Sequence, residues 1–362
     1  MKTTRDIVKE LQNCYGGFWR YPEVVDYYYL VNPYFPPTEL ADEFKKEFFN
    51  LLIQYPSGMR VNSELAARNF GVDASMIVVG NGASELISSL MKTVKGKAGF
   101  AYPSFEEYPN RLPVARRVPF YVKDKDFRYT VDDIIEFYGA QENHVEALTI
   151  VNPDNPSGNI IPRQDMLRLI GWAESCGVRL FIDESFIDFA DEPYTLIDSG
   201  LLAEHPNLSV IKSISKAYGV PGLRLGVLAS GDEEMISWMK KDVAIWNINS
   251  FAEFYMQIAP KYTEQFKTAY SKFKQERNRF FAALQKYEFL RVLPTQANYF
   301  LAEVLPPYTT VELACRLYES QKVLVKDCST KKAFEGKQYI RITIRTEEDN
   351  NRFLSGLEAM KQ

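Results

Sequence analysis

Three side chains suited to group-transfer chemistry each lie at, or a few residues after, the end of an apolar run. Asp183 closes one run, Asn155 follows a second, and Lys216 follows a third. An acid held in a cleft beside a cation stays ionised, and a lysine amine can attack an aldehyde to form a Schiff base. Taken singly, each also has an ordinary interpretation: a helix N-cap or solvated strand end, a turn-forming amide, and a surface lysine.

A glycine-rich segment follows a fourth apolar run and precedes a predicted helix. Gly82, Ala83 and Ser84 lie in this segment, and backbone N–H groups at such a helix N-terminus attract phosphate. An ordinary strand-to-helix turn is one alternative, and a dinucleotide-binding fingerprint is another, since the segment reads G-x-G-x-x-E. Glu85 in place of a small residue disfavours the fingerprint, as does Pro103, rather than an acid, at the end of the next strand.

Apolar runs alternate with helical patterns from about residue 75 to residue 231. This alternation predicts an α/β fold, in which a mostly parallel sheet is covered by helices on both faces. Ligands bind beyond the carboxyl ends of the strands in such a sheet, so the four segments are expected to meet in one cleft. Residues 233–287 have an almost wholly helical pattern interrupted by Pro260, and the later pattern predicts a smaller α+β domain.

Together these residue types fit a site for pyridoxal phosphate. The lysine would form the Schiff base, and the acid would keep the pyridine nitrogen protonated so that the ring accepts electrons. The amide would donate a hydrogen bond to the ring hydroxyl. Serines and an arginine near the lysine would complete the phosphate pocket.

The sequence resembles a known family along residues 32–357. Residues 213–226, S-I-S-K-A-Y-G-V-P-G-L-R-L-G, are similar to the S-x-S-K-x-x-x-x-x-G-x-R-x-G signature of fold-type-I pyridoxal-phosphate enzymes of aminotransferase class I/II. Residues 152–158, N-P-D-N-P-S-G, resemble the N-P-N-N-P-T-G segment of the same family, and residues 182–184 match the strand that carries its pyridine aspartate. The resemblance implies the fold of pyridoxal-phosphate-dependent transferases.

The resemblance implies a role for each matched residue. Lys216, Asp183 and Asn155 are the implied catalytic residues: the Schiff-base lysine and proton shuttle, the partner of the pyridine nitrogen, and the contact of the ring oxygen. Phe105 or Tyr108 is expected to stack on the ring. The implied phosphate-binding residues are Gly82, Ala83, Ser84, Ser213, Ser215 and Arg224.

The resemblance also extends to partners. Tyr55, in Q-Y-P, is similar to a tyrosine that reaches the phosphate of the partner subunit, which implies a homodimer. Arg341 is similar to the arginine that binds the substrate carboxylate. A phosphate on the substrate would need a further cation, and Lys326 and Arg20 are the candidates.

Within the family, histidinol-phosphate aminotransferase and threonine-phosphate decarboxylase have the most similar motifs. The first expectation is therefore transamination of a phosphorylated amino acid or amine through a Lys216 Schiff base. Decarboxylation of an O-phospho amino acid is the alternative, because Phe186 replaces the usual tyrosine and residues 246–249 and 326–329 resemble the decarboxylase. Racemase or lyase chemistry, or a pyridoxal-binding module without turnover, stays open as well.

The two main reactions differ in which Cα bond stands perpendicular to the cofactor ring. If Arg341 holds the carboxylate in the plane of the ring, the Cα–H bond breaks and transamination follows. If Lys326 and its neighbours hold a substrate phosphate so that the carboxylate stands upright, CO₂ leaves.

Composition excludes several other classes of protein. The 362 residues are 46% hydrophobic with a net charge of −4, which gives no basic surface for nucleic acid. Two histidines exclude a multi-histidine metal site, and a Ser-His-Asp triad would have to use His144 or His205. No apolar run is long enough for a membrane span, and the start lacks a secretory signal. The four cysteines include no C-x-x-C pair. Together with the missing signal sequence, this predicts reduced thiols in a cytoplasmic protein.

Length and pattern predict three parts. Residues 1–37 form an N-terminal arm, since three prolines between positions 33 and 37 forbid helix and strand there. Residues 38–255 form the large cofactor-binding domain. Residues 256–362 form the small C-terminal domain.

Overall fold

The computed structural model describes residues 2–14, 16–334 and 336–361. Its strands are β1 (Val25–Tyr27), β2 (Ile77–Asn81), β3 (Ala98–Tyr102), β4 (Arg117–Tyr121), β5 (Ala147–Val151), β6 (Arg179–Asp183), β7 (Leu208–Ser213), β8 (Leu225–Ser230), β9 (Leu290–Val292), β10 (Tyr299–Val304), β11 (Val323–Asp327) and β12 (Tyr339–Thr343). Its helices are α1 (Thr4–Asn13), α2 (Thr38–Ile53), α3 (Met59–Phe70), α4 (Ala83–Thr93), α5 (Glu107–Asn110), α6 (Val131–Gly139), α7 (Arg163–Ser175), α8 (Ser199–Glu204), α9 (Ile214–Ala217), α10 (Glu233–Asp242), α11 (Ser250–Ile258), α12 (Thr263–Leu284), α13 (Thr310–Gln321) and α14 (Glu347–Glu358).

Seven strands form one sheet in the order β2-β8-β7-β6-β5-β3-β4. Strand β8 is antiparallel to both of its neighbours, and the other pairs are parallel. Strands β5 and β7 are buried along their whole length. Burial on both faces explains why β5, A-L-T-I-V, is an almost continuous apolar run rather than an alternating one. The α/β fold with a mostly parallel sheet is thereby confirmed.

Five strands form a second, smaller sheet in the order β1-β11-β12-β10-β9. Strand β1 comes from the predicted arm and pairs in parallel with β11, while Val8 and Leu11 of α1 are buried in the same hydrophobic core. The sequence pattern did not reveal β1, whereas residues 33–37, where the prolines forbid helix and strand, contain neither. The three-part division stays a prediction, and its boundary at residue 255 lies inside α11.

The predicted helix over residues 233–287 is interrupted at residues 243–249, which connect α10 to α11. Trp246 there has a positive φ of 53°. The Asn247 side chain donates to the Val79 carbonyl at 2.9 Å and to Glu85 Oε2 at 2.8 Å. These contacts with β2 and with the first turn of α4 hold the connection in a non-helical conformation. Within the part of the chain that the structure describes, no helix combines the length and apolar character needed to cross a membrane.

Candidate active site

The carboxyl ends of the parallel strands border a cavity of about 240 Å³. This is the edge of the sheet where the sequence predicts a ligand site. Nine of the predicted residues line the cavity together: Ala83, Ser84, Phe105, Asn155, Asp183, Ser213, Lys216, Arg224 and Arg341.

Lys216 lies on α9, the short helix that follows β7. Burial, together with the nearby positive charges of Arg341 and Arg224, lowers the pKa of its amine to about 8, and the charge of Asp183 acts in the opposite direction. More of this amine is therefore neutral and nucleophilic near neutral pH than of an ordinary lysine, although the protonated form still predominates at pH 7. The Lys216 carbonyl accepts a hydrogen bond from the Asn32 N–H at 2.9 Å, so residues after β1 support this turn.

Asp183 ends β6 and is buried. Its Oδ1 accepts from the Ser185 backbone N–H at 2.9 Å, and its Oδ2 accepts from the Tyr108 hydroxyl at 2.8 Å. Burial raises the pKa of the Asp183 carboxyl, while these hydrogen bonds and the charge of Lys216 lower it. The carboxylate is thus held in place by two donors and faces a cation, as an ionised buried acid requires.

The two candidates for ring stacking separate clearly. Phe105 lines the cavity, whereas Tyr108 is buried beside Phe105, with ring centroids 6.3 Å apart and planes at 79°. The hydroxyl of Tyr108 is used on Asp183. Of the two, Phe105 is therefore the one that a ligand in the cavity could contact.

The glycine-rich segment begins α4 at the cavity. Gly82 has a positive φ of 76°, and a Cβ there would overlap the Arg224 guanidinium. Arg224 Nη2 lies 3.5 Å from the Ser84 hydroxyl. The first N–H groups of a helix lack partners within the helix, so Ala83, Ser84 and Arg224 form an anion-binding corner.

The two serines that precede Lys216, Ser213 and Ser215, differ in their position relative to the cavity. Ser213 lines the cavity. Ser215 is buried away from it, and its hydroxyl has no hydrogen-bond partner among the described residues. The structure therefore does not bring Ser215 to the predicted phosphate pocket.

Arg341, on β12, joins the two sheets at the cavity. Its Nη1 donates to Asn155 Oδ1 at 3.0 Å and its Nη2 donates to the Tyr28 carbonyl at 2.9 Å, while its Nε is buried with no partner among the described residues. Lys326 is the neighbour of Arg341 across the β11–β12 pair. Lys326 Nζ donates to the Tyr28 hydroxyl at 2.6 Å, so Lys326 reaches the cavity wall through that tyrosine.

Sequence reasoning missed Tyr28, which lines the cavity just after β1. The available signal was the short run of β-branched and aromatic residues at positions 24–30, which is typical of a strand. The neighbouring prolines directed attention to an extended arm instead.

Arg20 and Tyr55, both predicted site residues, do not line the cavity. Arg20 is exposed in the turn Phe18–Arg20, with its guanidinium over the rings of Trp19 and Tyr21 at 5.9 and 6.0 Å. Its contact with substrate stays a prediction. Tyr55 is 77% exposed, and its ring packs on Trp246 at a centroid distance of 4.5 Å.

The cavity residues fit pyridoxal phosphate. The anion-binding corner offers N–H groups and a guanidinium for a phosphate, and any side chain at position 82 would displace that guanidinium. Asp183 and Lys216 supply an acid and an amine inside the same cavity. Within the described residues, no group of His, Cys, Asp or Glu side chains could hold a metal ion.

Comparison with known proteins agrees with this geometry. Residues 34–357 match the family model described as aminotransferase class I and II. The chain is 33% identical over 348 residues to the CMP-5'-(3-aminopropyl)phosphonate synthase of Streptomyces rubellomurinus, covering 96% of this chain and 54% of that protein. It thus spans about half the length of that relative.

Two further comparisons cover both chains almost completely. The L-serine phosphate decarboxylase Cj1436c of Campylobacter jejuni is 28% identical over 376 residues, which cover 97% of this chain and 95% of that protein. The crystal structure of the histidinol-phosphate aminotransferase of Clostridium acetobutylicum superposes with a TM-score of 0.81 at 26% identity, covering 93% of this chain and 99% of the other.

Proposed function

Because the chain belongs to the class I and II aminotransferase family of pyridoxal-phosphate enzymes, we propose that it binds this cofactor and decarboxylates an amino acid that carries a phosphate or phosphonate group. Decarboxylation was the alternative to transamination in the sequence reasoning. The L-serine phosphate decarboxylase among the relatives supports this reaction, and the CMP-5'-(3-aminopropyl)phosphonate synthase supports a phosphonate as an alternative to a phosphate. The cavity wall made by Tyr28, Lys326 and Arg341 also supports decarboxylation.

Each part of the cofactor has a group to hold it. Ala83, Ser84, Ser213 and Arg224 would hold the phosphate, Phe105 would cover the ring, and Asp183 would neutralise the ring nitrogen. Asn155 would contact the ring oxygen, and Lys216 would carry the covalent link. When bound, pyridoxal phosphate supplies an electron sink for the pair released from a Cα bond.

The observation that carries the choice of reaction is the wall formed by Tyr28, Lys326 and Arg341. Arg224 lies at the corner for the cofactor phosphate, so a second anionic group needs other cations. The Tyr28 hydroxyl accepts from Lys326, which leaves its own proton free to donate to an anion, and Arg341 Nε is unpaired among the described residues. If these donors hold the substrate phosphate, the carboxylate is not held in the ring plane and can leave as CO₂.

Lys216, which lines the cavity, would deliver the proton that replaces the lost carboxyl group at Cα. Phe186 lines the cavity with its ring edge-on to Tyr299, at a centroid distance of 5.2 Å. Phenylalanine supplies no hydroxyl to the cofactor, which distinguishes this site from the usual transaminase arrangement.

Transamination is the second candidate, and the contact between Arg341 and Asn155 favours it. An arginine fixed at that point could bind a carboxylate in the plane of the ring, and the Cα–H bond would then break. Product analysis separates the two reactions, since decarboxylation releases CO₂ and an amine whereas transamination gives a keto product.

We expect wild-type enzyme to prefer O-phospho-L-serine to L-serine and to release CO₂. The Lys326→Ala change should lower kcat/KM for phosphoserine by about 10- to 100-fold, because hydrogen bonds to charged groups contribute about 1.5–3 kcal/mol. Phosphothreonine and histidinol phosphate complete the substrate panel. The exposed Lys337→Ala, in the loop before β12, is the matched control.

Equal kcat/KM values for phosphoserine and serine in wild type would refute the phosphate proposal. If Lys326→Ala still prefers phosphoserine to serine, a residue other than Lys326 binds the substrate phosphate. A keto product from the preferred substrate would select transamination.

We also propose a homodimer in which the partner completes the site. An exposed apolar surface joins the end of α2 to residues 245–246 and consists of Phe48, Phe49, Leu52, Ile53, Tyr55, Ile245 and Trp246. Large exposed apolar surfaces mark interfaces, and two-fold dimers are the commonest oligomers. Asn247 connects this surface to Glu85 at the start of α4, next to the anion-binding corner.

Light scattering is expected to give twice the 41.7 kDa chain mass. Introducing charge with Leu52→Asp and Ile245→Asp should shift the protein toward monomer and weaken cofactor retention, since a buried unpaired charge opposes association. Val114→Asp is the control, because Val114 is similarly exposed but lies in a turn before β4. A fully active wild-type monomer would contradict the dimer.

A further inference from the structure

Tyr108 makes a contact that its predicted stacking role does not explain. Its hydroxyl donates to Asp183 Oδ2 at 2.8 Å, and both side chains are almost completely buried. Tyr108 does not line the cavity, whereas Phe105, three residues earlier, does. Tyr108 therefore touches the acid and not the space in which the cofactor would lie.

The rest of Asp183 is already fixed. Its backbone is paired in the sheet with Val151 on β5 and Ile211 on β7, and its carbonyl accepts from the Asn152 N–H at 2.8 Å. With the backbone fixed, the carboxylate could still rotate about its side-chain bonds, and its hydrogen bonds restrain that rotation. The Ser185 N–H holds one oxygen and Tyr108 holds the other.

We propose that Tyr108 is a positioning residue that acts through Asp183, holding this carboxylate charged and oriented toward the ring nitrogen of the cofactor. The inference rests on the proposed function, in which Asp183 is the partner of that nitrogen. It assigns the stacking role to Phe105 alone.

The hydrogen bond from Tyr108 is expected to change the pH at which Asp183 takes up a proton. Burial raises the pKa of this carboxyl, and the opposing influences are the hydrogen bonds from Ser185 and Tyr108 and the charge of Lys216 on α9. Tyr299, on β10, is a further titratable group that interacts with Asp183. Removing the Tyr108 hydroxyl takes away a donor to the ionised form, so Asp183 would take up a proton at higher pH.

The test is the pH dependence of pyridoxal-phosphate binding to the apoenzyme, followed by absorbance. In Tyr108→Phe we expect affinity near pH 8 to fall by about tenfold, as for loss of a hydrogen bond to a charged group. The midpoint at which affinity falls on acidification should move to higher pH. In an Asp183→Asn background the same Tyr108→Phe change should alter affinity by less than about twofold and move no midpoint, because the charge on which it acts is gone.

Tyr138→Phe is the matched control. Tyr138, on α6, is equally buried, and its hydroxyl donates to the Val118 carbonyl at 2.9 Å, in the same sheet but away from the cavity. This variant should lose stability without a change in the pH midpoint. Thermal unfolding of each apo variant shows whether it is folded.

Two results would overturn the inference: an unchanged midpoint in Tyr108→Phe, or an equal loss of affinity in the wild-type and Asp183→Asn backgrounds. Either would give Tyr108 a packing role only. Failure of the proposed cofactor binding looks different, since wild type itself would then bind no pyridoxal phosphate, and the choice between decarboxylation and transamination does not affect this test.

Discussion

Replacement of Lys216 by alanine is expected to reduce kcat/KM by at least about 10²–10⁴-fold, the range that a positioned proton-transfer group contributes. The loss should be larger still, because the same amine carries the covalent link to the cofactor. Its lowered pKa, about 8, makes the neutral amine available for that link. Alanine leaves the surrounding contacts of α9 in place, so the variant should fold.

Borohydride reduction followed by peptide mass spectrometry measures the link directly. Wild type should carry the cofactor mass on the peptide that contains Lys216, and Lys216→Ala should carry none. Lys216→Arg is the informative companion, since it keeps a positive charge between Asp183 and Arg341 but cannot form the link. Near-normal turnover in either variant would remove Lys216 from its role.

The Asp183→Asn change is expected to leave the protein folded and able to take up pyridoxal phosphate, but to lower kcat by about 10²–10³-fold. An amide has almost the same shape as the acid and can still accept from Tyr108 or Ser185. It cannot compensate a positive charge on the ring nitrogen, and an uncompensated buried charge costs about 3–5 kcal/mol. The electron sink on which either candidate reaction depends is thereby weakened.

Steady-state kinetics with the cofactor saturating separates this loss from poor binding. Asp183→Glu is a useful comparison, because it keeps the charge but moves it by one methylene away from its two donors. A loss below tenfold in Asp183→Asn would assign the role to another group.

The sequence pattern predicts strands over residues 98–102 and 147–151 and a helix over residues 163–175, and β3, β5 and α7 have these bounds. Apolar runs and an amphipathic pattern that ends shortly before Gly177 leave few alternatives there. The site residues that follow strands could also be predicted to meet, because the carboxyl ends of parallel strands lie at one edge of a sheet. Asp183, Asn155 and Lys216 could therefore be placed without coordinates.

Prediction failed where long-range contacts decide the structure. Strand β1 has three residues and exists because β11 lies beside it. The loop at residues 243–249 is set by Asn247 reaching Val79 and Glu85. Tyr108 and Phe105 are interchangeable in a sequence pattern, and the hydroxyl contact with Asp183 separates them.

The pairing of β1 with β11 has a consequence for how the protein is made. The Tyr27 hydroxyl donates to Asn350 Oδ1 at 2.8 Å across 323 residues of chain. At a synthesis rate of about 5–20 residues per second, β1 emerges from the ribosome on the order of 15–60 s before its partners exist. During that interval α1 and β1 expose apolar side chains with nowhere to pack, including Val8, Leu11 and Tyr27. Such high contact order slows folding and leaves a segment that chaperones can recognise, so the wall that contains Tyr28 is among the last parts of the cleft to be completed on a nascent chain.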